Sequence, residues 1–531
     1  MAKLPVAMSR RNLLGLIGAA AGSTVMYRAA ASLGMAPAST YTGPVKLEGD
    51  AKGASVVILG AGLAGLVAAF ELRKAGYKVQ VLEYQNRVGG RSWTLRGGDV
   101  FTELGGATQK VGFEQGLYFN PGPWRIPHHH RGILDYCARL GVALEPFIQL
   151  NYNTYLHSKN AFEGKPQRFR EVQSDYRGAV AELLAKVTQQ KKLDELVSKE
   201  DQERLLESMR EWGALDKDFQ YKEGLQISDG RGFKRAPGGG LQGKPVPSGP
   251  PVELSQLLQS AIWKGLSAND DHGLEPAMFQ PVGGMDMLPR AFAREVGDLV
   301  RFNAKVTAIK QDTRGVTVVY ENAQDGGSPE AVTAEWCLCT IPLSILSQIE
   351  MNVSAEMSRA IDAVPYFSSV KTGLQFKRRF WEQDDGIYGG ISYTDLPNEI
   401  ISYPSTGYFS SGKGILLGAY AWGLNAFELT GLPPEERIKQ ALEYGAQIHP
   451  QYRTEFETGV SVAWHRVPWT LGCAGQWSDS ARDEHYEHLC QIDGRIVLAG
   501  EHLSYLAAWQ EGAILSSLDA ISRLHQRLVA K

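Results

Sequence analysis

The sequence predicts an α/β protein: a Rossmann-like dinucleotide-binding domain, a second domain built on a mixed sheet, and a helical insertion. Three observations predict it. Val56-Val57-Ile58-Leu59 reads as a buried strand, and Gly60-Ala61-Gly62-Leu63-Ala64-Gly65 follows it as G-x-G-x-x-G. From Lys371 onward, short strand-like runs alternate with turns. Between the two, residues 166–265 are rich in Leu, Ala, Glu, Lys and Gln at helical spacing.

The first unit can be justified piece by piece. A helix runs from the glycines to Ala75, Gly76 stops it, and Lys78 to Leu82 is a second strand ending in Glu83. The acid thus falls roughly twenty residues beyond the glycines, as a dinucleotide fingerprint requires. Gly60 permits the tight turn. Gly62, with Leu63 and Ala64 at the same turn, lets backbone N–H groups approach a pyrophosphate. Gly65 lets helix and strand pack closely, and the helix N-terminus attracts the phosphate charge. Glu83 can accept hydrogen bonds from ribose hydroxyls. The fingerprint alone does not separate NAD from FAD, but the next run does. Arg87-Val88-Gly89-Gly90-Arg91 combines close backbone approach with positive charge, suited to the other side of the same pyrophosphate.

These two runs together resemble the FAD-binding signature of the flavin amine oxidase family. The resemblance implies a Rossmann-like FAD-binding domain in which Glu83 holds the adenosine ribose. Arg87, Gly90 and Arg91 then lie along FAD.

Composition bounds the rest. At 531 residues with 43% apolar content, the chain can bury a large core and is long enough for more than one domain. A formal charge of −3 with no Lys/Arg run argues against a nucleic-acid partner. Ser9-Arg10-Arg11-Asn12-Leu13-Leu14 precedes a short apolar stretch and resembles a twin-arginine (Tat) export signal over residues 1–38, with Ala36-Pro37-Ala38 as the cleavage site. Export through the Tat machinery to the periplasm or beyond suits a protein that must acquire FAD before it crosses. The stretch from Leu13 to Val25 is short for a bilayer span. Five cysteines, Cys137, Cys337, Cys339, Cys473 and Cys490, form no C-x-x-C pair and give little support to a disulfide or zinc framework. Cys337 and Cys339 read as core.

Pro121-Gly122-Pro123-Trp124-Arg125-Ile126-Pro127 precedes His128-His129-His130 and a helix from Arg131 to Leu140. Adjacent histidines point in different directions and do not readily share an ion, so no metal is expected. Arg125 is a charge in an apolar setting. It is either a structural ion pair or a guanidinium fork for a carboxylate. The run is similar to the segment of L-amino acid oxidases that supplies their substrate-carboxylate arginine, which implies an amino acid rather than a plain amine. Ala181 to Met209 is the clearest helical stretch of the insertion, and Gly224 to Pro251, rich in Gly and Pro, reads as a long surface loop.

Beyond the insertion, a helix from Asp286 to Val296 precedes strands over Val300 to Gln311, Gly315 to Glu321 and Trp336 to Ile341. Strands over Thr372 to Phe376, Ile387 to Ser392, Ile400 to Tyr403 and Gly414 to Ala421 make the mixed sheet. The chain closes with Arg495 to His502 and a helix to about Leu528. The family resemblance covers residues 53–520 and implies further roles. Val306 meets the adenine through its backbone, Lys371 holds a water at flavin N5, and Tyr420 shares the substrate carboxylate with Arg125. Trp464 packs beside the flavin, Gly500 and Glu501 belong to the C-terminal FAD motif, and Trp509 flanks the ring. Cys473 falls where monoamine oxidases carry a flavin thioether, but noncovalent FAD is the expectation here. The split motifs imply an FAD domain of residues 53–116, 275–365 and 465–531, a substrate domain of 117–165 and 366–464, and the insertion at 166–265. A homodimer is usual in the family.

The expected activity is oxidative deamination of an L-amino acid, with hydride transfer to flavin N5 and dioxygen as acceptor. Its products are a 2-oxo acid, ammonia and hydrogen peroxide. By the motif match, Trp509 fills one place of the aromatic pair that sandwiches an amine in monoamine and polyamine oxidases and Ala474 fills the other, and this broken pair together with Arg125 disfavours a simple amine. An amino acid 2-monooxygenase, releasing an amide and carbon dioxide, uses the same anchor and is not separated by motifs.

Overall fold

The computed structural model describes residues 40–190 and 198–530. The export-signal reading of residues 1–38 falls outside them.

The first strand, β1 (Ser55–Leu59), leads through the glycine turn into helix α1 (Leu63–Lys74) and strand β2 (Lys78–Leu82). Both strands run parallel, in register from Ser55–Lys78 to Leu59–Leu82. Helix α2 (Arg131–Arg139) follows, and then α3 (Phe169–Gln189) and α4 (Lys199–Trp212), within the residues expected to form the insertion. Strand β3 (Trp336–Cys339) pairs with the other edge of β1. Three long strands, β4 (Ser369–Phe376), β5 (Gly414–Trp422) and β6 (Phe456–Ala463), come next. Strand β7 (Ile496–Leu498) and helix α5 (Gln510–Val529) end the chain.

Two sheets carry the architecture. The first has six strands in the order Val300–Arg301, β2, β1, β3, β7, Ile492–Asp493, parallel except at the last pair. Its central strands are buried on both faces, so they read as continuous apolar runs rather than alternating ones. Cys337 and Cys339 lie in that core. Helix α5 covers one face beside α1, where Ser517 Oγ donates to the Ala64 carbonyl at 2.7 Å. The second sheet has seven strands in the order Gln167–Arg168, Tyr155–His157, Ile391–Thr394, Ile400–Ser402, β5, β4, β6. It is antiparallel except where Ile391–Thr394 meets Tyr155–His157. This is the α/β class, with parallel and mixed sheets, that the sequence predicts.

The differences have local causes. The strand expected over Val300 to Gln311 is two strands, because Asn303 takes a φ of 57°. Val300–Arg301 joins the parallel sheet, and Ala304–Gln311 joins a four-stranded antiparallel one. The strand expected from Ile387 begins at Ile391, since Gly389 and Gly390 have φ of 68° and 93°. The helical stretch Ala181 to Met209 is parts of α3 and α4, with residues 191–197 outside the described ones. Gly224 to Pro251 is not a plain loop. It holds a short helix, Leu225–Arg231, and a hairpin of Phe233–Arg235 with Val246–Pro247. Buried Asp175 organises it: the carboxylate pairs with Arg231 at 2.6 Å and accepts from Val252 N and from the Tyr221 hydroxyl.

Candidate active site

A cavity of about 1480 Å³ lies between the parallel sheet and the mixed one. The glycine turn is one of its walls. Gly60, Gly62, Leu63 and Ala64 line it, and Gly65 does not. A Cβ on Gly65 would fall 1.9 Å from the Gly60 carbonyl oxygen, so this glycine serves helix–strand packing. A Cβ on Gly62 would meet nothing within 4 Å, so that backbone is open to the cavity. Glu83 lines it too. Its carboxylate accepts from Ala61 N at 2.6 Å and from Gln85 N at 2.8 Å, and burial raises its pKa. Val306 lines the same region.

Arg87 is placed differently from expectation. Its guanidinium stacks on Trp93 and Trp469 and donates to the Val88 and Gly90 carbonyls, and it does not line the cavity. It holds the Gly89-Gly90 turn in place. Gly90 and Arg91 do line the cavity. Arg91 pairs with Glu501 at 2.6 Å and also donates to the Cys473 carbonyl. Burial alone would raise the Glu501 pKa, but Arg91, His502 and the Ala508 N–H together more than offset it and hold the carboxyl below its ordinary value. Glu501 also accepts from Gly475 N and Ala508 N, which ties the turn after Gly500 to the start of α5.

The remaining wall is aromatic and cationic. Trp124, Tyr420, Trp422, Trp464 and Trp509 all line it. Trp464 donates its indole N–H to the Pro121 carbonyl at 3.0 Å. Trp509 meets His130 edge-on at 4.9 Å, and burial drives the pKa of that imidazole down to about 3. Arg125 stands against Trp124 and Trp509, its guanidinium carbon 5.0 and 5.9 Å from their rings. Nη1 donates to Gln149 Oε1 at 2.7 Å, whereas buried Nε has no acceptor among the described residues. None of the described carboxylates forms an ion pair with Arg125. Burial lowers its pKa, partly opposed by Tyr393, Tyr420 and Asp271, yet an arginine keeps its charge. Arg125 is half-buried, and a cation partly withdrawn from water without a counter-ion carries a cost that an anionic ligand would relieve.

Lys371 is 1% exposed. Its Nζ donates to the Gly122 carbonyl and lies 4.8 Å from the Trp124 ring. Burial, reinforced by Arg125, pulls its pKa down to about 7. Cys473 lines the cavity as a thiol whose pKa burial pushes up to about 11. The cavity reaches solvent beside Leu424 and Phe427, which line it and are 83% and 67% exposed. Gln149, Asp271, Tyr393 and Trp422 are lining residues that sequence reasoning did not single out. Trp422 was within reach, two residues after Tyr420 on the same face of β5. Gln149 and Asp271 carry no motif.

The residues present fit a flavin dinucleotide. Open backbone at Gly62, a buried carboxylate at Glu83, the α1 N-terminus and Arg91 match a ribose and a pyrophosphate. Comparison with known proteins agrees. The family model described as "flavin containing amine oxidoreductase" matches residues 63–524. An L-amino-acid oxidase of Siganus canaliculatus is 30% identical over 485 residues, covering 89% of this chain and 85% of the relative. L-amino acid oxidase Bs29 of Bothriechis schlegelii is 29% identical, covering 88% and 89%. A solved structure titled as wild-type putrescine oxidase bound to putrescine shares the fold, with a TM-score of 0.56 at 19% identity, covering 90% of this chain and 99% of that one. By its motifs, its cavity and these relatives, the chain belongs to the flavin-containing amine oxidoreductase family.

Proposed function

We propose that this protein is an FAD-dependent L-amino acid oxidase, converting an L-amino acid, water and dioxygen into a 2-oxo acid, ammonia and hydrogen peroxide. The observation that carries this reading is Arg125: a half-buried guanidinium lining the cavity, with its buried Nε unsatisfied and no carboxylate paired to it among the described residues. The α-carboxylate of an amino acid supplies both the missing charge and the missing acceptor. A plain amine supplies neither.

FAD, held noncovalently, supplies the two-electron acceptor. Glu83, the backbone at Gly62 and Arg91 would hold its adenosine and pyrophosphate end, and Gly500 and Glu501 would lie along the rest. The chain's own work is orientation. Arg125 and Tyr420 grip the carboxylate, which fixes Cα–H in one direction, and such positioning supplies much of the rate. The indoles of Trp124, Trp422, Trp464 and Trp509 exclude water around it. Burial brings the Lys371 pKa down to about 7, so its Nζ can hold a water or take a proton beside the substrate. The twin-arginine run supports export as a folded, FAD-loaded protein.

Anaerobic mixing with L-amino acids, D-amino acids and amines, followed at the flavin band, tests the assignment. Bleaching by L-amino acids, with 2-oxo acid and peroxide formed once air is admitted, is expected. Bleaching by amines alone overturns it. Release of an amide and carbon dioxide assigns the same anchor to a monooxygenase.

A further inference from the structure

A polar chain leaves Arg125 and runs out of the cavity to the segment that leads out of the helical insertion. Arg125 Nη1 donates to Gln149 Oε1 at 2.7 Å, and Gln149 Nε2 donates to Asn269 Oδ1 at 2.9 Å. The Tyr393 hydroxyl reaches the same Asn269 oxygen at 3.4 Å. Gln149 follows the strand Leu144–Phe147 and is 3% exposed. Asn269 closes the 3-10 segment Ile262–Asn269, which begins inside the insertion and ends just beyond it.

The direction of every bond follows from the donors available. A guanidinium only donates, so Gln149 must turn its oxygen to Arg125. Its amide nitrogen then faces Asn269, which must answer with its own oxygen. Both amides are therefore fixed in orientation. The bond is also made at the edge of the guanidinium a substrate does not need. A carboxylate taken side-on uses the parallel N–H groups of Nε and Nη2, and Nη1 lies on the other side. Gln149 is neutral as well, so it steadies the cation without cancelling its charge.

We propose that Gln149 is a positioning residue for carboxylate binding. It holds the guanidinium by Nη1 and leaves Nε without a protein acceptor among the described residues, and Asn269 makes that setting depend on how the segment leaving the insertion is seated. The inference rests on the reading of Arg125 as the carboxylate anchor. It adds two residues to that reading and couples the insertion to substrate affinity.

The test uses flavin-loaded wild type, Gln149→Met, Gln149→Glu and Asn269→Leu. Steady-state KM and kcat for the best L-amino acid are measured, together with the shift of the flavin band on titration with benzoate, a simple carboxylate that is not turned over. Flavin content and melting temperature are recorded for each. Gln149→Met is expected to raise KM and the benzoate Kd about tenfold, with kcat within about twofold of wild type, the loss of one hydrogen bond to a charged group. Gln149→Glu should weaken both further, since its carboxylate competes for the same cation. Asn269→Leu should shift both in the same direction by a smaller factor.

Wild-type KM and benzoate Kd in Gln149→Met overturn the proposal, whatever happens to its melting temperature. If that variant yields no flavin-loaded protein, Asn269→Leu decides by the same two readings. A wild type that neither binds benzoate nor is reduced by amino acids removes the anchor reading itself. A wild type that does both, beside a Gln149→Met variant equal to it, removes only the relay.

Discussion

Lys371 and Tyr420 are direct cross-strand partners on β4 and β5, and the Lys371 ammonium sits 4.2 Å from the Tyr420 ring centroid. Side chains paired in this way project from the same face of a sheet. A single register therefore delivers both to the cavity, 49 residues apart in sequence. Lys371 contributes an amine of lowered pKa, and Tyr420 contributes an aromatic face beside Arg125.

That pairing makes the pH dependence specific. The Lys371 pKa lies near 7, so the neutral amine predominates above that pH. Flavin reduction by a saturating L-amino acid should rise with pH through about 7, and the limb should vanish in Lys371→Met. Stability should follow the same group. Its folded pKa is below the unfolded one, so the unfolded chain binds more protons from about pH 7 up to the ordinary lysine range, and stability rises with pH across that window. Lys371→Met should flatten this slope and melt higher than wild type below pH 7. A scan of melting temperature against pH checks both points.

Arg125→Lys keeps the charge and removes the planar fork. The expected result is a loss of about a hundredfold in kcat/KM for L-amino acids, because a lysine cannot hold the carboxylate at two points. Flavin content should not change. Stopped-flow reduction of the variant, compared with wild type, gives the ratio. Equal rates would remove the two-point grip.

The glycine turn offers a matched pair of substitutions. Gly65→Ala drives a methyl into the Gly60 carbonyl and should destabilise the fold by about 3 kcal/mol or more. Gly62→Ala meets no protein atom within 4 Å, so the chain should fold with near wild-type melting in the flavin-free state and bind FAD poorly. Thermal unfolding beside flavin content separates the two. Similar behaviour in both variants would contradict the division of labour.

Acid precipitation of the loaded protein should leave the flavin in the supernatant. A thiol raised to about 11 presents little thiolate at neutral pH, and the thiolate is the nucleophile a thioether needs. Colour retained in the pellet, and lost from it in Cys473→Ala, would mean a covalent flavin.

Arg437 and Glu103 form an ion pair in which both side chains are 1% exposed, joining the helix Pro434–Ile448 to the turn at Leu104. Arg437→Met strands a buried carboxylate and should cost about 3–5 kcal/mol. Urea unfolding measures the loss, and a change under about 1 kcal/mol would mean that water reaches Glu103.

The sequence by itself determined the nucleotide-binding unit and the fold class. Short-range chemistry does this: a glycine turn, an apolar strand and a terminal acid are all set within thirty residues of one another, between Val56 and Glu83. Motif position also marked Arg125, Lys371, Tyr420 and Trp509, and the folded chain brings all four to one cavity. Only the tertiary structure decided what stands behind and beside them. Arg87 looked like a cofactor ligand because charge next to glycine is a phosphate pattern, yet the rings of Trp93 and Trp469 hold it away from the cavity. Gln149 and Asn269 meet across 120 residues, and an amide in a loop carries no periodicity that announces its partner. The unsatisfied state of Arg125 is likewise a property of the packed interior. Whether a charge lacks a counter-ion depends on every element folded around it, and no local run of residues encodes that.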